Sequence, residues 1–132
     1  MAFQYSVTLR TNQVGQIQTT ISTSGTLKIF SGAEPANCAA ADPSGLLATI
    51  TLPASFLTSA SGATTIAGSW TVAASGTGTA ASFRMYDGSA TCHVQGNVTA
   101  TGGGGDLTLD NTSISSGQTV TVTTCTITAG NS

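Results

Sequence analysis

The chain has 132 residues, enough for one domain with one core, and only 6% of them are charged, against roughly 25% in an ordinary soluble domain. The net charge is −2, and Arg10, Lys28 and Arg84 are the only Lys or Arg residues. That balance argues against a nucleic-acid-tracking patch and against a disordered polyelectrolyte. Threonine is the commonest residue, so the polar positions are filled by Thr, Ser, Asn, Gln and Gly. Such a surface repels its neighbours weakly and suits close contact with other subunits or with a neutral ligand.

From the N-terminus, Phe3, Tyr5, Val7 and Leu9 alternate with polar residues, the period of a half-buried strand. Continuous apolar runs fall well short of the ~20 residues that span a bilayer, and no secretory leader is recognisable. The expectation is a cytosolically made chain with no membrane contact. Ile17, Thr19, Ile21 and Thr23 resume the alternation, and Ser24-Gly25 turns into a strand carrying Leu27 and Ile29. The stretch 32–45 is different. It holds Glu34, Pro35, Asn37, three consecutive alanines, Asp42 and Pro43, and reads as a long contact loop with one helical turn at the alanines. Residues 46–52 form a strand stopped by Pro53. Phe56 and Leu57 have no clear place.

The second half reads as hairpins. Trp70 and Val72 share a face, with Trp70 in the core. Phe83 and Met85 share one face, and Arg84 and Tyr86 the other. Asp87-Gly88 is a tight-turn signal. The returning strand begins at Cys92, with Gly96 as a bulge site, and 102–105 is a mobile hairpin tip. Leu107 and Leu109, then Ile114, mark short strands. In the last strand the apolar phase flips near Thr123-Thr124, as a bulge would produce. The sum is a single domain over 1–132, all-β, an antiparallel sandwich or jelly roll of about eight to ten short strands.

Little of this can carry acid/base chemistry. Asp42 and Asp87 lie in turn contexts, and Asp106 and Asp110 on one strand face would stand about 13 Å apart. His93 is the only histidine and points away from adjacent Cys92, as strand neighbours do. It reads as a surface or interface residue. Cys38, Cys92 and Cys125 include no CxxC pair, so they read as small buried thiols; a bridge between Cys92 and Cys125 requires their strands to be neighbours. The run Gly102-Gly103-Gly104-Gly105-Asp106 lacks the Lys-Ser/Thr of a phosphate loop, and a calcium ion on Asp106 and Asp110 is the alternative to a plain turn. The Asn97 and Asn111 acceptor patterns are chance matches in a Thr/Ser-rich chain. No cofactor, metal or enzymatic activity is expected.

Two runs in the second half carry a resemblance. The segment Ala81-Ser82-Phe83-Arg84-Met85-Tyr86-Asp87-Gly88, followed by Thr91-Cys92-His93-Val94-Gln95-Gly96, resembles small structural proteins of tailed bacteriophages. So does Gly105-Asp106-Leu107-Thr108-Leu109-Asp110-Asn111 with Gly117-Gln118-Thr119-Val120-Thr121-Val122. The similarity covers about 68–131 and implies a virion component made in the host cytoplasm. A capsid decoration, or cement, protein is the expectation: a homotrimer binding the major capsid protein or another virion protein and bridging capsomers. A tail or fibre component and a carbohydrate-binding module with Tyr86 as platform are the alternatives. The expected subunit or lattice contacts are Phe3 and Tyr5 on the N-terminal strand, Glu34, Pro35, Asp42 and Pro43 on the loop, and Arg84 and Tyr86 on the polar strand face.

Overall fold

A computed structural model describes residues 4–21, 24–53, 55–68 and 70–128. Among them are one helix, α1 (Val7–Ile21), and twelve strands: β1 (Thr26–Phe30), β2 (Leu46–Thr51), β3 (Leu57–Ala60), β4 (Ala63–Ile66), β5 (Thr71–Ala73), β6 (Gly78–Thr79), β7 (Ser82–Tyr86), β8 (Cys92–Ala100), β9 (Leu107–Leu109), β10 (Ser113–Ile114), β11 (Thr119–Cys125) and β12 (Ile127–Thr128). The β-rich class expected from the alternating pattern is the one observed.

A seven-stranded sheet in the order β2-β1-β7-β8-β9-β11-β5 dominates. Its two ends meet: the backbone N–H groups of Ser75 and Gly76 both donate to the Leu47 carbonyl, at 2.8 and 3.2 Å. The sheet is thereby nearly closed as a barrel, which leaves little free edge for unwanted pairing. Its interior holds Leu27, Ile29, Ile50, Phe83, Met85, Leu107 and Leu109, all nearly inaccessible to solvent. Trp70 is in the core as expected, its ring centroid 6.2 Å from that of Phe56. A small β12-β4-β3 sheet and a β10-β6 pair complete the strands.

The N-terminal half of the alternation is overturned. Where strands were expected through Leu9 and again from Ile17, the chain forms α1 over Val7–Ile21, and Thr23, the end of the second expected run, lies outside the described residues. Ser6 starts it as an N-cap: its hydroxyl accepts from the Leu9 N–H at 3.1 Å, and its carbonyl from the Arg10 N–H at 3.0 Å. Val14, Ile17 and Ile21 recur at three- and four-residue spacing, so the segment satisfies the helical period as well as the strand period. The β-branched residues favour the strand locally, but tertiary contacts decide. The helix packs on β3, β4, β8 and β12. It is fastened there by Gln18 Oε1, which accepts from the Leu57 N–H at 2.7 Å, and by Thr11 Oγ1, which accepts from the Gly62 N–H at 2.8 Å.

Two glycine readings change, and one bulge is where the sequence put it. In β11 the register shifts between Val122 and Thr124, and the displaced Thr123 hydroxyl bonds those of Thr101 at 2.8 Å and Thr108 at 2.7 Å. Gly96 is not a bulge. A Cβ there would lie 2.7 Å from both the Phe83 ring and the Asp106 carboxylate, so glycine permits close approach; the β7–β8 register shift falls beside His93 instead. Nor is 102–105 a hairpin tip. β8 and β9 are parallel, with Val98 opposite Leu107, so the chain must double back within a few residues. Gly102 and Gly104 take positive φ of 86° and 81°, and the Gly105 N–H donates to Thr99 Oγ1 at 2.9 Å.

Candidate functional site

The 32–45 loop lies over the outer face of β7, and one side chain organises it. Because β7 alternates, Phe83 and Met85 point into the barrel while Ser82, Arg84 and Tyr86 point out. Outward does not mean exposed here: Arg84 and Tyr86 are 1% and 4% accessible because the loop covers them. Arg84 Nη1 donates to Asp42 Oδ1 at 2.6 Å. Arg84 Nη2 donates to the carbonyls of Asn37, Cys38 and Ala40 at 3.2, 2.9 and 3.0 Å. The planar guanidinium presents a fixed fork of donors, which suits a turn of chain whose carbonyls converge.

Other contacts tie the loop at both ends and along its length. The Tyr86 hydroxyl donates to Asp42 Oδ1, and the Lys28 ammonium sits 5.0 Å from the centre of the Tyr86 ring. Gln95 Nε2 donates to the Pro35 carbonyl at 2.7 Å, and the Ser82 hydroxyl to the Gly32 carbonyl at 2.7 Å. The base is closed by Ser31 N–H to the Gly45 carbonyl at 2.9 Å and Gly32 N–H to the Ser44 carbonyl at 3.0 Å. The turn expected at the alanines is made by Asn37, whose Oδ1 accepts from the N–H groups of Ala39 and Ala40 at 2.9 and 3.1 Å. Pro43 restricts Asp42 to extended backbone, which helps to aim its carboxylate back at Arg84.

Burial works against ionising Asp42, but the hydrogen bonds from Tyr86 and Arg84, with the charges of Arg84 and Lys28, outweigh it and lower its pKa. Burial first, and then the Asp42 carboxylate, raise the Tyr86 phenol above its ordinary value. Asp42 is therefore ionised and Tyr86 protonated across the neutral range. The cluster holds a fixed charge pair with no proton to exchange, which suits a structural latch.

With its carbonyls turned inward, the loop shows a different composition outside. Ala33, Ala36, Ala39 and Ala41 are exposed, with Glu34 and the partly solvated Asp42 as the acidic groups. Pro35 and Pro43 are half-buried. Leu46, just beyond the loop, is 42% exposed. Of the remaining expected contact residues, Tyr5 is 40% exposed ahead of α1 rather than on a strand, and Phe3 lies outside the described residues.

The structure also joins His93 to Asp87 across the β7–β8 turn, a pairing sequence reasoning missed. The ring Nε2 lies 2.9 Å from Asp87 Oδ2, while Asp87 Oδ1 accepts from the N–H groups of Ser89 and Thr91 at 2.8 and 3.1 Å. The His93 contact, then those two backbone bonds, hold the Asp87 carboxyl below its usual range. The turn role foreseen for Asp87 is observed. His93 borders an open cleft of about 250 Å³ between α1 and β8, with Gln13, Gln16, Ile17, Thr20 and Val94.

Asp106 and Asp110 are engaged by backbone: Asn97 N–H donates to Asp106 Oδ2 at 3.2 Å, and Thr121 N–H to Asp110 Oδ1 at 3.4 Å. Among the described residues no group of three or more His, Cys, Asp or Glu is placed to hold a metal ion, and no helix is long and apolar enough to cross a membrane. Cys92 and Cys125 are not strand neighbours, since β9 separates β8 from β11. Comparison with family models, with curated proteins and with solved structures yields no match to this chain.

Proposed function

We propose that this chain is a non-enzymatic structural protein that works by surface contact, and that it is a virion component of a tailed bacteriophage, a capsid decoration protein bridging neighbouring capsomers. The observation that carries the contact role is the orientation of the 32–45 loop. Three of its carbonyls are spent on Arg84, and its exposed residues include Ala33, Ala36, Ala39 and Ala41, with exposed Leu46 following in the chain. A pre-ordered surface of this kind loses little conformational entropy when a partner covers it, and few charges have to be desolvated. The resemblance of the second half to tailed-phage structural proteins supplies the virion part of the reading, with a trimer binding the capsid lattice as its form.

A carbohydrate-binding module needs an exposed aromatic platform. Tyr86 would supply one only with the loop lifted, since it is 4% accessible beneath it. That observation favours the contact role over sugar recognition.

The test places charge on the loop without touching the latch. The double variant Ala36→Glu/Ala39→Glu is compared with the wild type for self-association by light scattering and for Tm. The proposal expects association to be lost with Tm changed by no more than about 2 °C, since exposed substitutions cost little. Association unchanged in a folded variant removes the loop from the interface and contradicts the reading.

A further inference from the structure

We propose that Cys38 and Cys92 are a redox-active pair: a small disulfide oxidant joins them and so fastens the 32–45 loop covalently to β8. This rests on the placement of the two residues and is independent of the virion reading.

The register of the sheet puts Cys92 opposite Tyr86, at the start of β8. Tyr86 reaches Asp42 in the loop, so this end of β8 lies beneath the loop. From the other side, the Cys38 carbonyl is held 2.9 Å from Nη2 of Arg84, which lies two residues before Tyr86 on the same face of β7. The contacts that seat the loop therefore place both cysteines against the Arg84–Tyr86 face of β7, and the nearness of Cys38 is one of the causes that raise the Cys92 thiol. Both are half-buried, within reach of a small oxidant. The third cysteine, Cys125, is 1% accessible in β11, away from β8 and shielded by the core.

With glutathione disulfide as oxidant the chemistry balances. One thiolate attacks a sulfur of glutathione disulfide, breaking its S–S bond and releasing one glutathione thiolate. The second cysteine thiolate attacks the protein sulfur of the mixed disulfide and expels the second glutathione. Two protein thiols are oxidised by two electrons, one glutathione disulfide is reduced to two glutathiones, and the two protons pass to the departing thiolates. Burial, and then the nearness of Cys38, hold the Cys92 thiol protonated above the ordinary thiol range. Closure is accordingly slow at neutral pH and faster as pH rises. Reducing cytosol keeps the pair open, and an oxidising medium closes it.

The experiment treats the native protein with glutathione disulfide at pH 8 and maps it by proteolysis and mass spectrometry without reduction. The expected result is a loss of two hydrogens in mass, one linked peptide pair joining Cys38 to Cys92, and a fall in free thiols from three to one. The link closes a chain loop of about 55 residues, so Tm rises by on the order of 10 °C and falls back with dithiothreitol. Glutathione adducts that persist without a link, a link that uses Cys125, or three thiols left unreacted would each overturn the proposal. Cys38→Ser supplies the second check: its reduced Tm stays near that of the wild type and no cross-link forms. Loss of two thiols in that variant also overturns it.

Discussion

Replacing Arg84 by methionine probes the latch most sharply. Methionine keeps much of the buried volume and removes all the donors. Four hydrogen bonds are lost, one to the Asp42 carboxylate and three to the carbonyls of Asn37, Cys38 and Ala40. Bonds from a charged donor contribute about 1.5–3 kcal/mol each when both partners stay buried. The full sum would be an overestimate here, because the Asp42 side chain is 43% exposed and the loop can lift and rehydrate its carbonyls. The ion pair is therefore discounted, and the lost carbonyl bonds set the scale. A cost of about 3 kcal/mol follows, or about 10 °C in Tm for a domain of this size. Chemical denaturation followed by Trp70 fluorescence measures it, and the labelling rate of Cys38 by a thiol reagent reports whether the loop has lifted. If Arg84→Met costs under about 1 kcal/mol with Cys38 labelling unchanged, the reasoning that Arg84 seats the loop is refuted.

The same latch has a pH signature. Asp42 has a lowered folded pKa, so its contribution is present above the ordinary carboxylate value near 3.9 and is lost as pH falls below it. Tyr86 has a raised folded pKa, so its contribution is complete below about pH 10 and is lost above that. Cys38 labelling, corrected for thiolate fraction, should thus show a seated loop between about pH 5 and 9; opening near pH 7 would contradict the pairing. Asp42→Asn should cost only about 1 kcal/mol, well under Arg84→Met, because its carboxylate is already partly solvated. Gly103→Ala should destabilise by about 1–3 kcal/mol in urea titration, since the new Cβ would lie 2.8 Å from Thr99; a neutral result would undo the account of the parallel β8–β9 return. Ser6→Ala should cost about 1 kcal/mol by the same assay if Ser6 caps α1, and nothing if the N-terminal segment is extended.

The strands of the second half were legible because each is short, alternating and bounded by turn residues. The Thr123 bulge could be read from the phase of Val120 and Val122 against Cys125 and Ile127, and the Asp87-Gly88 turn from its chemistry. The N-terminus misled because Val14, Ile17 and Ile21 fit a helix while their β-branched neighbours advertise a strand. Only the packing of α1 on the small sheet separates the two. The latch was half legible. Arg84, Tyr86, Pro35 and Asp42 each stood out by type, and strand alternation placed Arg84 and Tyr86 on one face. That the loop folds over that face is a long-range fact. It rests on hydrogen bonds between residues more than forty positions apart, which no local pattern encodes. The clearest clue was chemical: a lone arginine in a charge-poor strand needs acceptors, and a loop rich in Ala and Pro, with few polar side chains of its own, offers them through its backbone.

The most direct test of the central claim is the mass of the purified chain in solution by light scattering, alone and with a panel of glycans. The account predicts an oligomer, a trimer on the virion reading, whose mass and stability are indifferent to sugars. A monomer that binds a glycan would contradict it and would point to a site opened by lifting the loop from Tyr86.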